Sequence, residues 1–537
     1  MNRILQPRLL PLLRVQRHQF LFSTKSFSLS AIKMSTDSTR PLKKRSVVSS
    51  FIFNLHKTPD HKPQVALFRR SDKVSTYQHH LAPISGSIEI SDPNPLSAAW
   101  REISEETTLT PSDLRLLRQG KPYTFSDPSI RREWTIHPFA FALRDPSSAN
   151  KIQIDWEHES WGWYDPLTVT DDPSFGGVPR LVESLRRVWF EMDLGAEAAA
   201  ILSGGLDSLA NDTTSGARQM AGHALITLRD VVSVLPVDDP EKWWRNVRSA
   251  AWHLSKNGRE SMGAAIAAAC LNALSEIEST SLESPDIRSA TLSLLDEVIQ
   301  TRDATTASIA SSLTNYLTTT FPPPAKLTIL TLSQSSTITT SLLHFLSTSP
   351  SQQIEIRILE SRPLFEGVSL AKSLRSSQSH HQPKPKPKIK IYTDAASALA
   401  STDINILLLG ADKISPTGSA SNKTGSLPAV LAARFVTHNR AKIAVVTDTD
   451  KVGMPNELES NHVLEEQPGD MVSRAWSQST IETESMEGVE ISNVFFEWVP
   501  AELIDVYITE RGEQTAADMA ARSAELGREE QRIFGSL

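Results

Sequence analysis

Three glutamates stand close together within residues 83–110, at positions 102, 105 and 106. The spacing i, i+3 and i+4 places Glu102, Glu105 and Glu106 on one face of a helix. Three carboxylates on one face repel each other unless a cation lies among them, and Mg²⁺ prefers such oxygen ligands. An ion held there would polarise a phosphate group for attack by water, and Arg101 could orient one of the carboxylates. The alternative is a solvated acidic helix face without a ligand.

Polar residues also follow a series of apolar runs in the last part of the chain. The runs occupy positions 327–333, 354–360, 389–393, 404–410 and 442–447. Near-continuous apolar runs that alternate with helical stretches are typical of a parallel sheet buried on both faces, and ligands bind outside the carboxyl ends of such strands. The polar residues expected there include Ser333, Arg362, Asp412, Asn422 and Lys423. Arg362 and Lys423 could hold phosphate and Asp412 could handle a proton; alternatively, these side chains only tie loops together.

Three regions with different sequence patterns must position these residues. Residues 47–172 combine short strand-like runs with one strong helix near 96–107, which is an α+β pattern. Residues 178–320 are mostly helical, with helices expected at 180–192, 215–235, 260–277 and 285–318 and around Trp244. Residues 325–537 show the alternation of βαβ units. The expected fold class is therefore multidomain: an α+β domain, a helical domain and an α/β parallel-sheet domain.

The acidic segment resembles the Nudix hydrolase signature. The matching residues are Gly86 for the first glycine, Arg101-Glu102-Ile103-Ser104-Glu105-Glu106 for the helical core, and Leu109 for the final aliphatic position. The resemblance implies a Nudix fold over residues 47–172 and hydrolysis of a nucleoside diphosphate derivative with Mg²⁺ (or Mn²⁺). It implies Glu102, Glu105 and Glu106 as metal ligands, and Glu102, Glu105 and Arg101 as catalytic residues. Glu102 would be either a further ligand or the general base.

The segment departs from that signature at three points. Asp92 stands where the family has glutamate, one extra residue separates it from Arg101, and Thr108 replaces the glycine that closes the helix. A shorter acid and an insertion alter the loop that folds back on the helix. Thr108 makes a left-handed helix end less easy than glycine would.

Five segments of the second half resemble another family when taken in order. They are residues 258–266, 329–338, 358–367, 407–426 and 445–452. They resemble the alpha, beta and delta subunits of translation initiation factor 2B, a family that includes methylthioribose-1-phosphate isomerase and ribose-1,5-bisphosphate isomerase. The resemblance implies a helical domain over 178–320, a Rossmann-like domain over 325–537 and a homodimer formed through the latter. Translation-initiation factors are the expected protein partners by the same resemblance.

Two positions at which the chain differs from the isomerases indicate the branch of the family to which it belongs. The isomerases use a cysteine at the position of Ser333 and an aspartate at that of Asp412, and their phosphate site carries Arg-Gly-Ala where residues 215–217 read Ser-Gly-Ala. Serine is a far poorer acid than a thiol. We therefore expect no isomerase activity. The remaining residues predict a sugar-phosphate-like binding pocket or a purely structural role.

Charge and cysteine content exclude several other classes. The net charge of −7 and a pI near 6.1 argue against direct nucleic-acid binding. The single cysteine, Cys270, cannot form an internal disulfide or a Cys-rich zinc site. No apolar run approaches 18 residues, so no membrane span is expected.

The composition of the first residues predicts a targeting segment. Residues 1–34 contain six Arg or Lys and no Asp or Glu, the composition of a mitochondrial transit peptide. We expect residues 1–46 to be a transit peptide and linker; if Met34 is the working start, the location is cytoplasmic. Removal of those six positive charges changes the net charge from −7 to −13.

The combined interpretation is a Nudix-type pyrophosphohydrolase fused to a regulatory or ligand-binding module, acting on a nucleotide or phosphorylated small molecule. One alternative is a non-catalytic protein that regulates translation initiation or senses sugar phosphates. A second alternative is a sugar-phosphate aldose–ketose isomerase.

Overall fold

The structure is a computed structural model that describes residues 42–56, 62–212, 215–259, 262–323, 325–348, 353–376, 386–455, 469–473 and 489–537. The expected transit peptide and most of its linker lie outside these residues. In the described part of the chain, no helix is both long and apolar enough to cross a membrane.

The N-terminal module is a seven-stranded mixed sheet with one long helix. Its elements are β1 (Lys43–Asn54), β2 (Gln64–Arg70), β3 (Leu81–Ala82), α1 (Pro95–Thr107), β4 (Leu114–Gln119), β5 (Tyr123–Asp127), β6 (Arg132–Leu143) and β7 (His158–Tyr164). The strand order is β3-β2-β1-β6-β4, with β5 paired to β6 and β7 paired to β2. The two long strands β1 and β6 run parallel, and the other pairs are antiparallel. The predicted α+β region is confirmed.

Helix α1 begins and ends at residues that fix its position. The Asn94 side chain accepts from the backbone N–H of Ser97 at 2.9 Å, and Pro95 occupies the first turn. Thr108 closes the helix in the left-handed conformation with φ 61°, and its hydroxyl donates to the carbonyl of Lys151 at 3.0 Å. That conformation costs about 1 kcal/mol for a residue with a Cβ. Thr108 therefore makes the turn that the family's glycine would make, with support from one side-chain hydrogen bond.

The middle of the chain is a helical domain. Its helices are α2 (Leu181–Arg186), α3 (Glu191–Leu194), α4 (Ala196–Asn211), α5 (Ala217–Val234), α6 (Pro240–Lys256), α7 (Gly263–Thr280) and α8 (Ile287–Thr320). The expected single helix at 180–192 is two short helices, and α4 was not predicted. Cys270 is buried in α7, where burial raises its pKa to about 12. This agrees with a packing role.

The C-terminal domain is built on a second seven-stranded sheet. Its elements are β8 (Leu327–Leu332), α9 (Ser336–Thr348), β9 (Ile354–Leu359), α10 (Glu366–Ser376), β10 (Lys388–Tyr392), α11 (Ser397–Ala400), β11 (Ile406–Leu409), β12 (Lys413–Ile414), β13 (Ala420–Lys423), α12 (Ser426–Val436), β14 (Lys442–Val446), α13 (Asp470–Ser473), β15 (Phe496–Val499), β16 (Val506–Thr509), β17 (Gly512–Gln514) and α14 (Ala516–Phe534). The order is β10-β9-β8-β11-β14-β16-β17, parallel except for the edge strand β17. Every residue of β8 and β9 is buried. The predicted parallel sheet is confirmed; the small antiparallel sheet β12-β13-β15 was not predicted.

The two halves of the chain meet where strand β4 reaches the end of helix α6. The backbone N–H of Gln119 donates to Asn257 Oδ1 at 2.7 Å, and Asn257 Nδ2 donates to the Gln119 carbonyl at 3.1 Å. The guanidinium of Arg118 lies 4.0 Å above the ring of Phe190. A single side-chain amide thus satisfies both backbone groups of one strand residue.

A buried ion cluster holds the outer strands of the C-terminal sheet. Glu355 is 3% exposed and pairs with Lys326 at 3.0 Å, Arg357 at 2.9 Å and Lys390 at 2.9 Å. Burial alone would raise the pKa of Glu355, but the three cations lower it to about 2. Because the folded-state pKa lies below the ordinary value, the stabilisation is complete above about pH 4.5 and is lost as pH falls towards 2.

Replacement of Glu355 by glutamine should therefore destabilise the fold by about 3 kcal/mol at pH 7, since it leaves cations without their buried partner. The difference from the native chain should shrink as the pH falls from about 4.5 to 2. Urea unfolding across this range measures it. The control is Glu133→Gln, which breaks a pair between the partly exposed Glu133 and the exposed Lys44 and should cost less than about 1 kcal/mol. A Glu355→Gln deficit that does not change with pH would contradict the assignment.

Candidate active site

Helix α1 lies against the loop that precedes it, and a glycine makes the contact. A Cβ built on Gly86 would lie 2.0 Å from Cδ of Glu102, so any larger residue would displace that carboxylate. Glu102 is itself 9% exposed. The position predicted as the first glycine of the signature is therefore required by the close approach of the loop to the helix.

Arg101 connects the acids of this region. Its guanidinium donates to both carboxylate oxygens of Asp92 at 3.1 and 2.9 Å, to Glu102 at 2.8 Å and to Glu105 at 3.2 Å. It also donates to the carbonyl of Ser87 at 3.1 Å. Hydrogen bonds from Arg101 lower the pKa of Asp92. Asp92, despite its shorter side chain and the inserted residue, thus still closes the loop onto the helix.

Glu106 is the most buried of the three glutamates, at 2% exposed. Its Oε2 lies 3.5 Å from Nε2 of His158, while Oε1 has no hydrogen-bond partner among the described residues. Burial, reinforced by the charges of Glu102 and Glu157, raises the pKa of Glu106 well above its ordinary value. A buried carboxylate oxygen without a partner, among further carboxylates, fits a cation.

His158, on strand β7, lies beside Glu106 of helix α1. Its Nδ1 lies 3.6 Å from Oδ1 of Asp155, and its ring packs against Phe68 with centroids 5.2 Å apart. Burial lowers the pKa of His158 to about 4, so the ring is neutral at pH 7. His158 therefore lies between two carboxylates, those of Asp155 and Glu106.

The predicted metal ligands are neighbours without being assembled as a ligand set. In the described part of the chain, no three Asp, Glu, His or Cys side chains converge as ligands of one ion. Arg101 bonds Glu102 and Glu105, and the Glu105 side chain is 59% exposed. The donor set of hard oxygens and the free Oε1 of Glu106 nevertheless fit Mg²⁺ or Mn²⁺.

A cavity of about 430 Å³ opens beside these acids, within the size range of small-molecule sites. The carboxylates that line it include those of Glu102, Glu105 and Glu157. The cavity is also lined by residues that the sequence analysis did not predict. They include Arg70, Tyr77, Tyr123, Phe125, Trp134 and the segment 178–181 with Ser184. The Tyr123 hydroxyl is 2.8 Å from Oγ of Ser184, which ties the first turn of α2 to strand β5. No local pattern marks these residues, because separate elements bring them together.

The polar residues predicted for the C-terminal pocket are partly brought together. Ser333 has φ 63° at the end of β8, and its hydroxyl donates to Glu366 Oε2 at 2.6 Å. The other oxygen of Glu366 lies 3.3 Å from Nζ of Lys423. The sequence analysis missed Glu366, which joins two of the predicted residues.

The other three predicted residues have different surroundings. Burial raises the pKa of Asp412, an effect opposed by the charges of Lys451 and Lys423. The Asn422 amide donates to Oγ of Ser426 at 2.9 Å, a contact between strand β13 and the start of helix α12. The guanidinium of Arg362 lies 5.1 Å from the centroid of the Phe365 ring. Arg362, Glu366 and Lys423 line a cavity of only about 20 Å³, which is room for about one water molecule.

Comparisons with known proteins match both halves. The family model of the NUDIX domain matches residues 43–185, and that of the initiation factor 2 subunit family matches residues 213–516, more than half of the chain. Methylthioribose-1-phosphate isomerase of Rhodopirellula baltica is 29% identical over 177 residues, 32% of this chain and 46% of that protein. The isomerase of Thioalkalivibrio sulfidiphilus is 31% identical over 130 residues, 24% of this chain and 35% of that protein. The chain thus spans less than half the length of either relative.

Two solved structures show limited similarity to the chain. The translation initiation factor eIF-2B of Pyrococcus horikoshii OT3 is 20% identical, with a TM-score of 0.39, and the match covers 59% of this chain and 96% of that one. The eIF2B beta of Chaetomium thermophilum is 16% identical, with a TM-score of 0.45, covering 63% and 93%. By the family models, the chain belongs to the initiation factor 2 subunit family and carries a NUDIX domain ahead of that module.

Proposed function

We propose that the NUDIX domain hydrolyses a pyrophosphate bond in a nucleoside diphosphate derivative. The observation that carries the proposal is the acidic face of α1, from which Glu102 and Glu105 line the 430 Å³ cavity. On the same helix, Oε1 of Glu106 is buried and has no hydrogen-bond partner among the described residues. A buried carboxylate oxygen without a partner calls for a functional explanation.

Each group has a role in this proposal. Glu102, Glu105 and Glu106 would hold Mg²⁺ or Mn²⁺, which supplies Lewis-acid activation of a phosphate group. Glu102 is also suited to act as general base, because burial raises its pKa despite the hydrogen bond from Arg101. Arg101 orients the carboxylates. The aromatic rings of Tyr123, Phe125 and Trp134, which line the same cavity, suit a planar base.

The C-terminal module has a regulatory rather than a catalytic role in this proposal. Ser333 occupies the position where the isomerases require a thiol, and its hydroxyl is engaged by Glu366. The relatives are isomerases, but the chain spans less than half of their length. A homodimer through this module, and binding of translation-initiation factors, remain parts of the proposal that rest on family resemblance.

Hydrolysis should require Glu105. The purified chain with Mg²⁺ is screened against nucleoside diphosphate sugars, dinucleoside polyphosphates and oxidised nucleotides, with release of product as the readout. Glu105→Gln should lower the rate on the accepted substrate roughly a hundredfold, because it removes charge stabilisation worth several kcal/mol. The matched control is Glu159→Gln, a carboxylate that pairs with His79 outside the cavity. Background release by the native chain across the panel would refute the hydrolase proposal.

His158 should be needed for tight ion binding although it does not touch the cavity. His158→Phe keeps the ring against Phe68 but removes the nitrogen beside Glu106. Loss of such a supporting partner typically weakens ion affinity about 10- to 100-fold. Titration with Mn²⁺, followed by electron paramagnetic resonance, measures this without substrate. His79→Phe is the control, and equal Mn²⁺ affinity for both variants would show that His158 is merely structural.

The C-terminal module should not turn over sugar phosphates. Methylthioribose 1-phosphate and ribose 1,5-bisphosphate are incubated with the native chain and with Asp412→Asn, and ketose formation is measured. No product above the level of the Asp412→Asn variant is expected, because Ser333 cannot replace a thiol in proton transfer. Turnover that disappears in Asp412→Asn would establish the isomerase alternative instead.

A further inference from the structure

The 430 Å³ cavity of the N-terminal module is lined by a row of residues that crosses its sheet. Ser87 forms a bridge with Val47 of β1, and Val47 pairs with Ile136 of β6. Ile136 in turn pairs with Tyr123 of β5. All four residues line the cavity. Because neighbouring strands lie about 4.8 Å apart, three such steps give the row a length of about 14 Å.

The carboxylates of α1 that line the cavity are connected to the Ser87 end of this row. Arg101 donates to the Ser87 carbonyl and also to Glu102 and Glu105. Together with the two hydrogen bonds to Asp92, these contacts use all five N–H groups of Arg101. A pyrophosphate held by an ion on Glu102 and Glu105 would lie at this end, and it is much shorter than the row.

Arg180 lies at the other end, beside Tyr123. Its carbonyl accepts from the Tyr123 hydroxyl at 3.2 Å and from the N–H of Ser184 at 3.0 Å. The residue lines the cavity, and within the described part of the chain its guanidinium makes no hydrogen bond or ion pair. A cation thus faces the cavity about three strand spacings away from the predicted ion ligands.

The backbone of Arg180 is held in a conformation that favours glycine. Its φ is 66°, in the left-handed region. Arg186 and Arg187, which follow on α2, pair with the carboxylates of Asp193 and Glu183. An arginine that keeps a strained backbone and has no carboxylate partner among the described residues calls for a functional explanation.

Aromatic side chains accompany Arg180 at this end of the row. Phe125 pairs with Trp134 two residues along the same strands as Tyr123 and Ile136, and both rings line the cavity. The ring of Phe125 stacks with that of Tyr123 at 6.2 Å between centroids. Since such rings suit a planar base, the nucleoside of a bound substrate would lie here, within reach of Arg180.

We propose that Arg180 is a specificity-determining residue that binds a phosphate monoester on the ribose of the nucleoside. The preferred substrate is then a nucleoside diphosphate derivative with a further phosphate at O2′ or O3′. A guanidinium suits this group because its planar fork donates two parallel hydrogen bonds to phosphate oxygens. The inference rests on the proposed hydrolase function for the reaction, but binding at Arg180 does not require hydrolysis.

Mononucleotides test the site without the reaction, because they contain no pyrophosphate bond. AMP, adenosine 2′,5′-bisphosphate and adenosine 3′,5′-bisphosphate are titrated into the full chain with Mg²⁺ by calorimetry. Adenine serves as the base since stacking on aromatic rings tolerates every base. One bisphosphate should bind about tenfold or more tightly than AMP, and the preferred isomer identifies the position of the phosphate. Equal affinity for all three would overturn the proposal.

Two glycine variants locate the preference. Arg180→Gly removes the guanidinium and suits the left-handed backbone, so the fold is retained. It should bring the affinity for the bisphosphate down to that for AMP and leave AMP binding unchanged. Arg131→Gly is the control, because Arg131 also has a positive φ, 54°, and does not line the cavity. The proposal is contradicted if Arg180→Gly keeps the preference, if Arg131→Gly loses it as well, or if Arg180→Gly weakens AMP binding equally.

Hydrolysis assays separate this inference from the hydrolase proposal. NADH and NADPH, which differ by one 2′-phosphate, and dephospho-coenzyme A and coenzyme A, which differ by one 3′-phosphate, are compared as substrates. An Arg180-dependent preference in binding with no hydrolysis of any nucleotide would refute the hydrolase and keep the site. Hydrolysis with no Arg180-dependent preference in binding or rate would keep the hydrolase and refute the site.

Discussion

The position of the acidic helix depends on one guanidinium. Arg101 bonds Asp92, Glu102 and Glu105 at once and also reaches the carbonyl of Ser87. Without it, several carboxylates would share a small volume and repel each other, and the loop carrying Gly86 would have no charged anchor on α1. Electrostatic neutralisation by Arg101 is thus present without any ion, and it connects the altered loop with Asp92 to helix α1.

The two candidate sites differ in whether a glutamate carboxylate has partners for both of its oxygens. Near α1, the oxygen Oε1 of Glu106 is buried and lacks a partner among the described residues. Near β8, the oxygens of Glu366 are both engaged, by Ser333 and by Lys423. A carboxylate with an unused oxygen is suited to accept an ion, whereas one with satisfied oxygens stabilises the fold. Glu106 thus has one oxygen without a partner among the described residues, whereas both oxygens of Glu366 have one.

Sequence reasoning succeeded where the signal is local. Helix α1 and the five apolar runs of the C-terminal sheet were predicted because burial of one helix face or of a whole strand dictates residue order directly. Helix α4 was missed because Gly204 and Gly205 resemble a break; yet a Cβ on Gly205 would lie 2.3 Å from the Thr227 side chain, so the glycine serves close packing against α5.

The site walls could not be predicted for a related reason. Tyr123, Arg70 and the segment around Arg180 are far apart in sequence and meet only because β2, β5 and α2 converge at one cavity. Glu366 looked like an ordinary residue in the first turn of a helix. Its importance follows from the distance to Lys423, 57 positions later. Composition and periodicity carry no information on such pairings.

The contact between Gln119 and Asn257 has a consequence for the fused architecture. Strand β4 ends the strand order of its sheet, and an unpaired edge is a template for intermolecular association. The Asn257 amide offers Gln119 one donor and one acceptor, as the backbone of an adjacent strand would. Asn257 thereby covers one residue of that edge against pairing with another chain. Separating the modules would leave both backbone groups of Gln119 without these partners.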